Sequence, residues 1–305
     1  VAAVEISTSW AFVDTLGKIV INPQFSKAKK FSEGLAPVQI GLAWGFVNKA
    51  DKYIITPQFE KAEPFQEGLA AVRLNGKWGY INKEGTVVIP YQFNEASDFN
   101  DGCAAVRLGN LWGYIGKDGS YIINPKFEDD INGEMDDKIF SEGLAAVRID
   151  GKWGYINKKG QVQVPIEYDN VTPFHDGLAA IIKNNQLYYI NQQGKQALQI
   201  TYENISPFAG GFARVTSSNK KAGFIDRTGK EIIPCKYDNA GSFSEGLVIV
   251  VLNNQFGYCD QTGKEIIPLT YLNAGPFENG LAVVETSTHY LVINKKGETL
   301  KKLNK

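Results

Sequence analysis

The sequence predicts an all-β tandem repeat array, and three observations carry that prediction. All five tryptophans, Trp10, Trp44, Trp78, Trp112 and Trp153, occupy one slot of a unit of about 34 residues that recurs through the 305-residue chain. The units hold short apolar and β-branched runs, and pairs such as Asn75-Gly76, Asp150-Gly151 and Asn184-Asn185 separate them, the signature of tight hairpins. At every junction a phenylalanine is followed three residues later by a glycine, from Phe31 and Gly34 to Phe277 and Gly280. A fixed period of this size marks a supersecondary unit that cannot bury its apolar face alone and stacks on its neighbours.

The elements follow in order along the clearest copy. Residues 69–74 and 77–82 flank Asn75-Gly76, which supplies the positive φ angles that a two-residue hairpin needs. The next turn places a glycine three residues after an Asn or Asp, as in Asn82/Gly85, Asp226/Gly229 and, in the first unit, Asp14/Gly17. That pattern fits a turn closed by a left-handed glycine. A third strand, Thr86 to Ile89, is expected to stop at Pro90, because proline cannot donate to a ladder; Pro23, Pro57, Pro125, Pro165, Pro234 and Pro268 stand at the same point of other copies. On the second strand Trp78 and Tyr80 share one face and Gly79 and Ile81 the other, so both faces are expected to be covered. The glycine beside the tryptophan is expected to admit a neighbouring backbone or ring. An aromatic slot before each junction holds Phe25, Phe59, Phe93 and Phe127, then Tyr168, Tyr202, Tyr237 and Tyr271.

The slot of Leu69 is filled successively by Val1, Leu35, Leu69, Cys103, Leu144, Leu178, Phe212, Leu247 and Leu281, which counts nine units. The expected architecture is therefore nine three-stranded units in an open, superhelical, solenoid-like stack, with a closed β-propeller as the alternative. No Pro/Ser/Gly-rich linker breaks the period, so residues 1–305 read as a single repeat domain with an acidic insertion at about 128–138.

The strand Gly-Lys-Trp-Gly-Tyr-Ile-Asn at 76–82 and 151–157, with Phe-x-Glu-Gly-Leu-Ala-x-Val at 31–38, 65–72 and 140–147, resembles the WG-repeat, or KWG, family of bacterial proteins. The resemblance covers essentially the whole chain. It implies a role in protein interaction and an exported or cell-envelope location. Later copies depart from the pattern, with Leu187, Ala222, Phe256 and Tyr290 in the tryptophan slot.

Bulk properties narrow the function. A formal charge of −1 offers no global attraction for nucleic acid, and no basic stripe interleaves with aromatics. No run approaches eighteen apolar residues, so no membrane-spanning helix is expected. The chain begins at Val1, in phase with a unit, as a processed exported protein or an excised piece would. Three cysteines, Cys103, Cys235 and Cys259, fill slots otherwise apolar or aromatic and read as small hydrophobes.

Catalysis needs residues that break the repeat, and few do. His175 and His289 stand more than a hundred residues apart. No zinc spacing, phosphate loop or nucleophile elbow is present, so neither an enzyme nor a cofactor is expected. The junction carboxylates Glu33, Glu67, Asp101, Glu142, Asp176 and Glu245 recur one per unit and are expected to bond turn amides or line a solvated edge.

Two features remain as candidate sites. The insertion carries Glu128, Asp129, Asp130, Asn132, Glu134, Asp136 and Asp137; its oxygen side chains resemble part of a calcium loop, but Ile139 replaces the closing glutamate. It is read as an exposed loop with Asp129, Asp130, Asn132, Glu134, Asp136 and Asp137 as candidate partner contacts. The tryptophans are read as repeat-core aromatics, since Leu187, Phe256 and Tyr290 preserve bulk and not chemistry. The functional expectation is a non-catalytic protein-interaction scaffold with another protein as partner. The alternative is a glycan- or peptidoglycan-binding module that stacks sugars on exposed aromatics.

Overall fold

A computed structural model of the chain describes residues 1–14, 18–129 and 139–304, and within these every regular element is a strand. Among the described residues no helix is long and apolar enough to cross a membrane. Gly17 of the first turn, and Asp130, Asn132, Glu134, Asp136 and Asp137 of the insertion, lie outside the described residues.

The chain divides into two compact units, Val1–Ile166 and Glu167–Lys305. The first carries five antiparallel sheets in sequence and the second four, each an up-and-down meander in which consecutive strands pair. The third sheet is representative: Lys61–Ala62, Ala70–Leu74, Lys77–Ile81 and Val87–Phe93 lie side by side in chain order. Among the described residues seven of the nine sheets have four strands and two have three. A four-stranded meander is a propeller blade, so the three-stranded, solenoid-like stack expected first gives way to its alternative, the β-propeller. The strand that was missed is only two residues long in six of these seven sheets, and runs Asn239–Ser244 in the eighth sheet. Lys61 pairs with Arg73 and Ala62 with Val72, so the segment after each proline supplies the first strand of the next sheet.

The third strand does not stop at its proline. Val87–Phe93 runs through Pro90, and its register shifts between the pairs Trp78↔Phe93 and Tyr80↔Ile89. The proline sits in this irregularity on an edge strand, where no ladder hydrogen bond is lost. The same shift explains the glycine after the tryptophan. A Cβ on Gly79 would lie 2.7 Å from the Ile89 carbonyl oxygen and 2.9 Å from the Tyr91 amide nitrogen. Gly45, Gly113, Gly154, Gly223 and Gly257 face the same backbone closure. The hairpin tips adopt the left-handed angles expected of them, with φ 51° at Asn75 and 74° at Gly76. In the turn beyond, Gly85 donates its N–H to the Asn82 carbonyl at 3.0 Å, and the Asn82 side chain accepts from the Thr86 amide at 2.8 Å.

The core lies between successive sheets. Trp78, Tyr80, Ile89 and Phe93 of the third sheet close on Ala104, Val106 and Ile115 of the fourth, with Phe99 of the junction among them. One sheet therefore offers large aromatics and the next a smooth Ala/Val/Ile face. Each junction phenylalanine packs on the aromatic two residues after the tryptophan slot: Phe46–Phe65, Tyr80–Phe99 and Tyr114–Phe140 all have centroids 4.9 Å apart. In the second unit Tyr189–Phe208 and Tyr258–Phe277 repeat the contact at 4.7 and 4.9 Å. These tilted and edge-on contacts add to the area they bury. The tyrosines are also latched: the Tyr80 hydroxyl donates to the Ser97 carbonyl at 2.8 Å and Tyr258 to the Gly275 carbonyl at 2.7 Å.

Candidate functional site

The junction carboxylates fasten each sheet to the next. Glu33, Glu67, Asp101, Asp176 and Glu245 all hold φ between 49° and 54°, which aims their side chains along the array. Glu33 accepts from the Gly68 amide at 3.1 Å and pairs with Lys83 at 2.9 Å. Glu67 does the same with Gly102 and Lys117, and Glu245 with Gly280 and Lys295. Bonds from Lys295 and the Gly280 amide hold the Glu245 carboxyl below its ordinary value. Where the junction has Gly210 in place of the carboxylate, the lysine slot one unit on holds Gln261. The two slots do not always change together, since the lysine slot that answers to Glu142 holds Gln192. A second set of acceptors closes the hairpin tips: Glu60 accepts from the Gly76 amide at 3.2 Å, Asn94 from Gly109 at 2.9 Å, Glu128 from Asp150 at 2.9 Å, and Asp169 from Asn184 at 2.7 Å. These residues directly follow the aromatic slot, a regularity in the sequence that identifies the caps.

Of the insertion, Glu128 and Asp129 are described. The Trp112 indole N–H donates to the Asp129 carboxylate at 2.9 Å, Arg107 lies 3.8 Å from its other oxygen, and Arg148 donates to its carbonyl at 3.4 Å. Asp129 is therefore drawn onto the fourth and fifth sheets at the point where the insertion leaves them.

The tryptophans are placed unequally. Trp44, Trp78, Trp112 and Trp153 are buried at 7, 4, 4 and 6% exposure. Trp10 is half-buried against the first core cluster. Trp10 and Trp44 line an open cleft of about 710 Å³ in the first unit, walled by Ser26, Lys27, Lys29, Glu60, Lys61 and Glu63 and closed by Glu5 and Gln39. Its walls are the two-residue first strands of the second and third sheets, the elements that periodicity does not reveal. A smaller cleft of about 320 Å³ shares Lys61 and Glu63 and continues to Trp78 and Glu95. In the larger cleft Lys29 pairs with Glu63 at 2.5 Å and lies 5.4 Å from the Trp44 ring centroid, over its face.

Reactive groups are scattered. His175 takes part in a junction bridge to Leu178, and His289 lies in a strand of the ninth sheet. Cys103 and Cys259 are buried and Cys235 is half-buried, all three as free thiols, and burial pushes each thiol up. Among the described residues no three of His, Cys, Asp or Glu converge to hold a metal.

Fold and repeat thus define an all-β protein built of propeller-type blades. The chain belongs to the WG-repeat family: the model of the WG containing repeat matches residues 10–41, 44–78, 78–112, 112–153, 153–188, 189–220, 223–255 and 256–286. No curated protein sequence matches it. Among solved structures it is similar to a eukaryotic initiation factor at 12% identity and a TM-score of 0.64, over 99% of this chain and 96% of that one, a likeness of fold alone. It also aligns with BamB from Moraxella catarrhalis at 9% identity over 97% of this chain and 94% of that one, with a TM-score of 0.41. Hsv2p from Kluyveromyces lactis aligns at 12% identity over 90% and 94%, also with a TM-score of 0.41.

Proposed function

We propose that the chain is a non-catalytic protein-interaction scaffold. The observation that carries this reading is the open cleft at the Trp10–Trp44 end of a latched repeat array, where charged side chains stand on short strands held by the fold. Repeat arrays present extended surfaces whose side chains vary while the packing does not. The reactive groups support the same reading, since the histidines stand apart and the thiols are buried and raised. Stacking of sugars, the competing function, needs open ring faces, and four of the five indoles are packed between sheets.

The test is retention of proteins by the immobilised chain in the presence of competing oligosaccharides. Saturable retention of a discrete protein that oligosaccharides do not displace is the expected result. Retention of glycans, with proteins held only through their glycans, would contradict it.

A further inference from the structure

Resting on that interaction reading, the geometry points to the Trp10–Trp44 cleft as a receptor for an acidic peptide segment of the partner protein. The argument is an account of which groups in the cleft are already engaged. It is lined by three lysines, Lys27, Lys29 and Lys61, and three glutamates, Glu5, Glu60 and Glu63. Glu63 is neutralised by Lys29 at 2.5 Å. Glu60 accepts from the Gly76 amide at 3.2 Å and lies 3.6 Å from Arg73. Lys27 and Lys61 are exposed and have no ion-pair partner among the described residues. They occupy the same position of the repeat, each opening the two-residue first strand of its sheet.

Neither the Trp10 nor the Trp44 indole N–H meets an acceptor among the described residues, whereas that of Trp112 is satisfied by Asp129 at 2.9 Å. The cleft therefore presents two ammonium groups and two indole donors against one uncommitted carboxylate, Glu5. Charge-assisted bonds from such donors to carboxylates are the strong ones. The volume, about 710 Å³, lies in the range of ligand-binding clefts. A sulfated or uronic glycan would satisfy the same donors, but it would also draw on a ring face for stacking. Trp44 is packed at 7% exposure with Lys29 over it, so the contacts on offer are edges and charges, which suit the side chains of an acidic peptide.

The test uses the full chain and a fluorescein-labelled hexaglutamate peptide, followed by polarisation in low and moderate salt, with hexaglutamine and hexagalacturonate as comparison probes. The expected result is saturable binding of hexaglutamate but not hexaglutamine, weakened by salt. Lys27→Gln with Lys61→Gln should reduce affinity at least about tenfold. Lys159→Gln with Lys264→Gln, which removes the same charge elsewhere, should leave it within about twofold. Glu5→Gln should tighten binding a few-fold, a change of sign that a merely structural role would not produce. Lys27→Arg with Lys61→Arg should retain binding and guards against a folding defect, which thermal melting of each variant also reads.

Equal losses in the two lysine pairs, no saturable binding of hexaglutamate, or binding of hexagalacturonate alone would each overturn the assignment. A protein partner that binds the chain equally well with Lys27→Gln and Lys61→Gln would overturn the cleft while leaving the interaction reading intact.

Discussion

Single residues in this chain are specified by what the neighbouring sheet requires of them. Trp78 fills the space between the third and fourth sheets, so Trp78→Ala should cost about 3–5 kcal/mol, measured by urea unfolding. A cost below about 1 kcal/mol would place the ring on the surface. Gly79 is a sharper case, because its Cβ would strike backbone and not a movable side-chain tip. Gly79→Ala should destabilise by about 1–3 kcal/mol through overpacking. Gly241→Ala serves as the contrast: there the new Cβ meets only Ile249, at 3.7 Å from its Cβ and 4.0 Å from its carbonyl oxygen, an ordinary van der Waals contact, and little should change. The tryptophan and glycine slots could be read from the repeat because each recurs with one steric demand. Glu60, Asn94, Glu128 and Asp169 were not read as tip caps, because the demand they meet is one or two amides 15 to 23 residues away.

At the scale of elements, the latches between sheets are electrostatic and answer to pH. The Glu245 carboxyl is held below its ordinary 4.5 by Lys295 and the Gly280 amide. A carboxyl depressed by folding stabilises the folded state above its unfolded value, and this contribution disappears as pH falls through the folded value. The melting temperature of the wild type should therefore exceed that of Glu245→Gln by a constant margin above about pH 5, and the margin should shrink in more acid solution. A margin that grew on acidification would contradict the latch. The hairpins, the left-handed turn glycines and the junction phenylalanines were legible in the sequence because local chemistry decides them. The fourth strand was not, since two residues such as Lys61–Ala62 carry no periodicity and pair only because the next hairpin is already there. The proline that was expected to end the third strand is carried within it, because an edge strand with a register shift asks no donor of that residue.

For the whole molecule, the period alone announces repetition, but three strands against four, and stack against propeller, turn on that short strand. Its recovery also exposes the cleft. Lys27 and Lys61 lie 34 positions apart, in different units of the repeat, and nothing in either copy alone marks them as neighbours across a binding cleft. Because each cluster joins only adjacent sheets, damage should stay local. Hydrogen exchange of Trp78→Ala should rise in the third and fourth sheets well before it rises in the first. A uniform rise would mean that the array unfolds as one cooperative body.

The account rests on tryptophans whose rings build the core between sheets and leave recognition to charged side chains and indole edges. The direct measurement is iodide quenching of two single-tryptophan chains, one keeping Trp78 and one keeping Trp10, with phenylalanine in the remaining slots, a residue the eighth sheet already carries there as Phe256. Blue-shifted, protected emission from Trp78 and partial quenching of Trp10 is the predicted result. Equal and free quenching of both would make the tryptophan row a surface and put the alternative, glycan stacking, ahead of protein interaction.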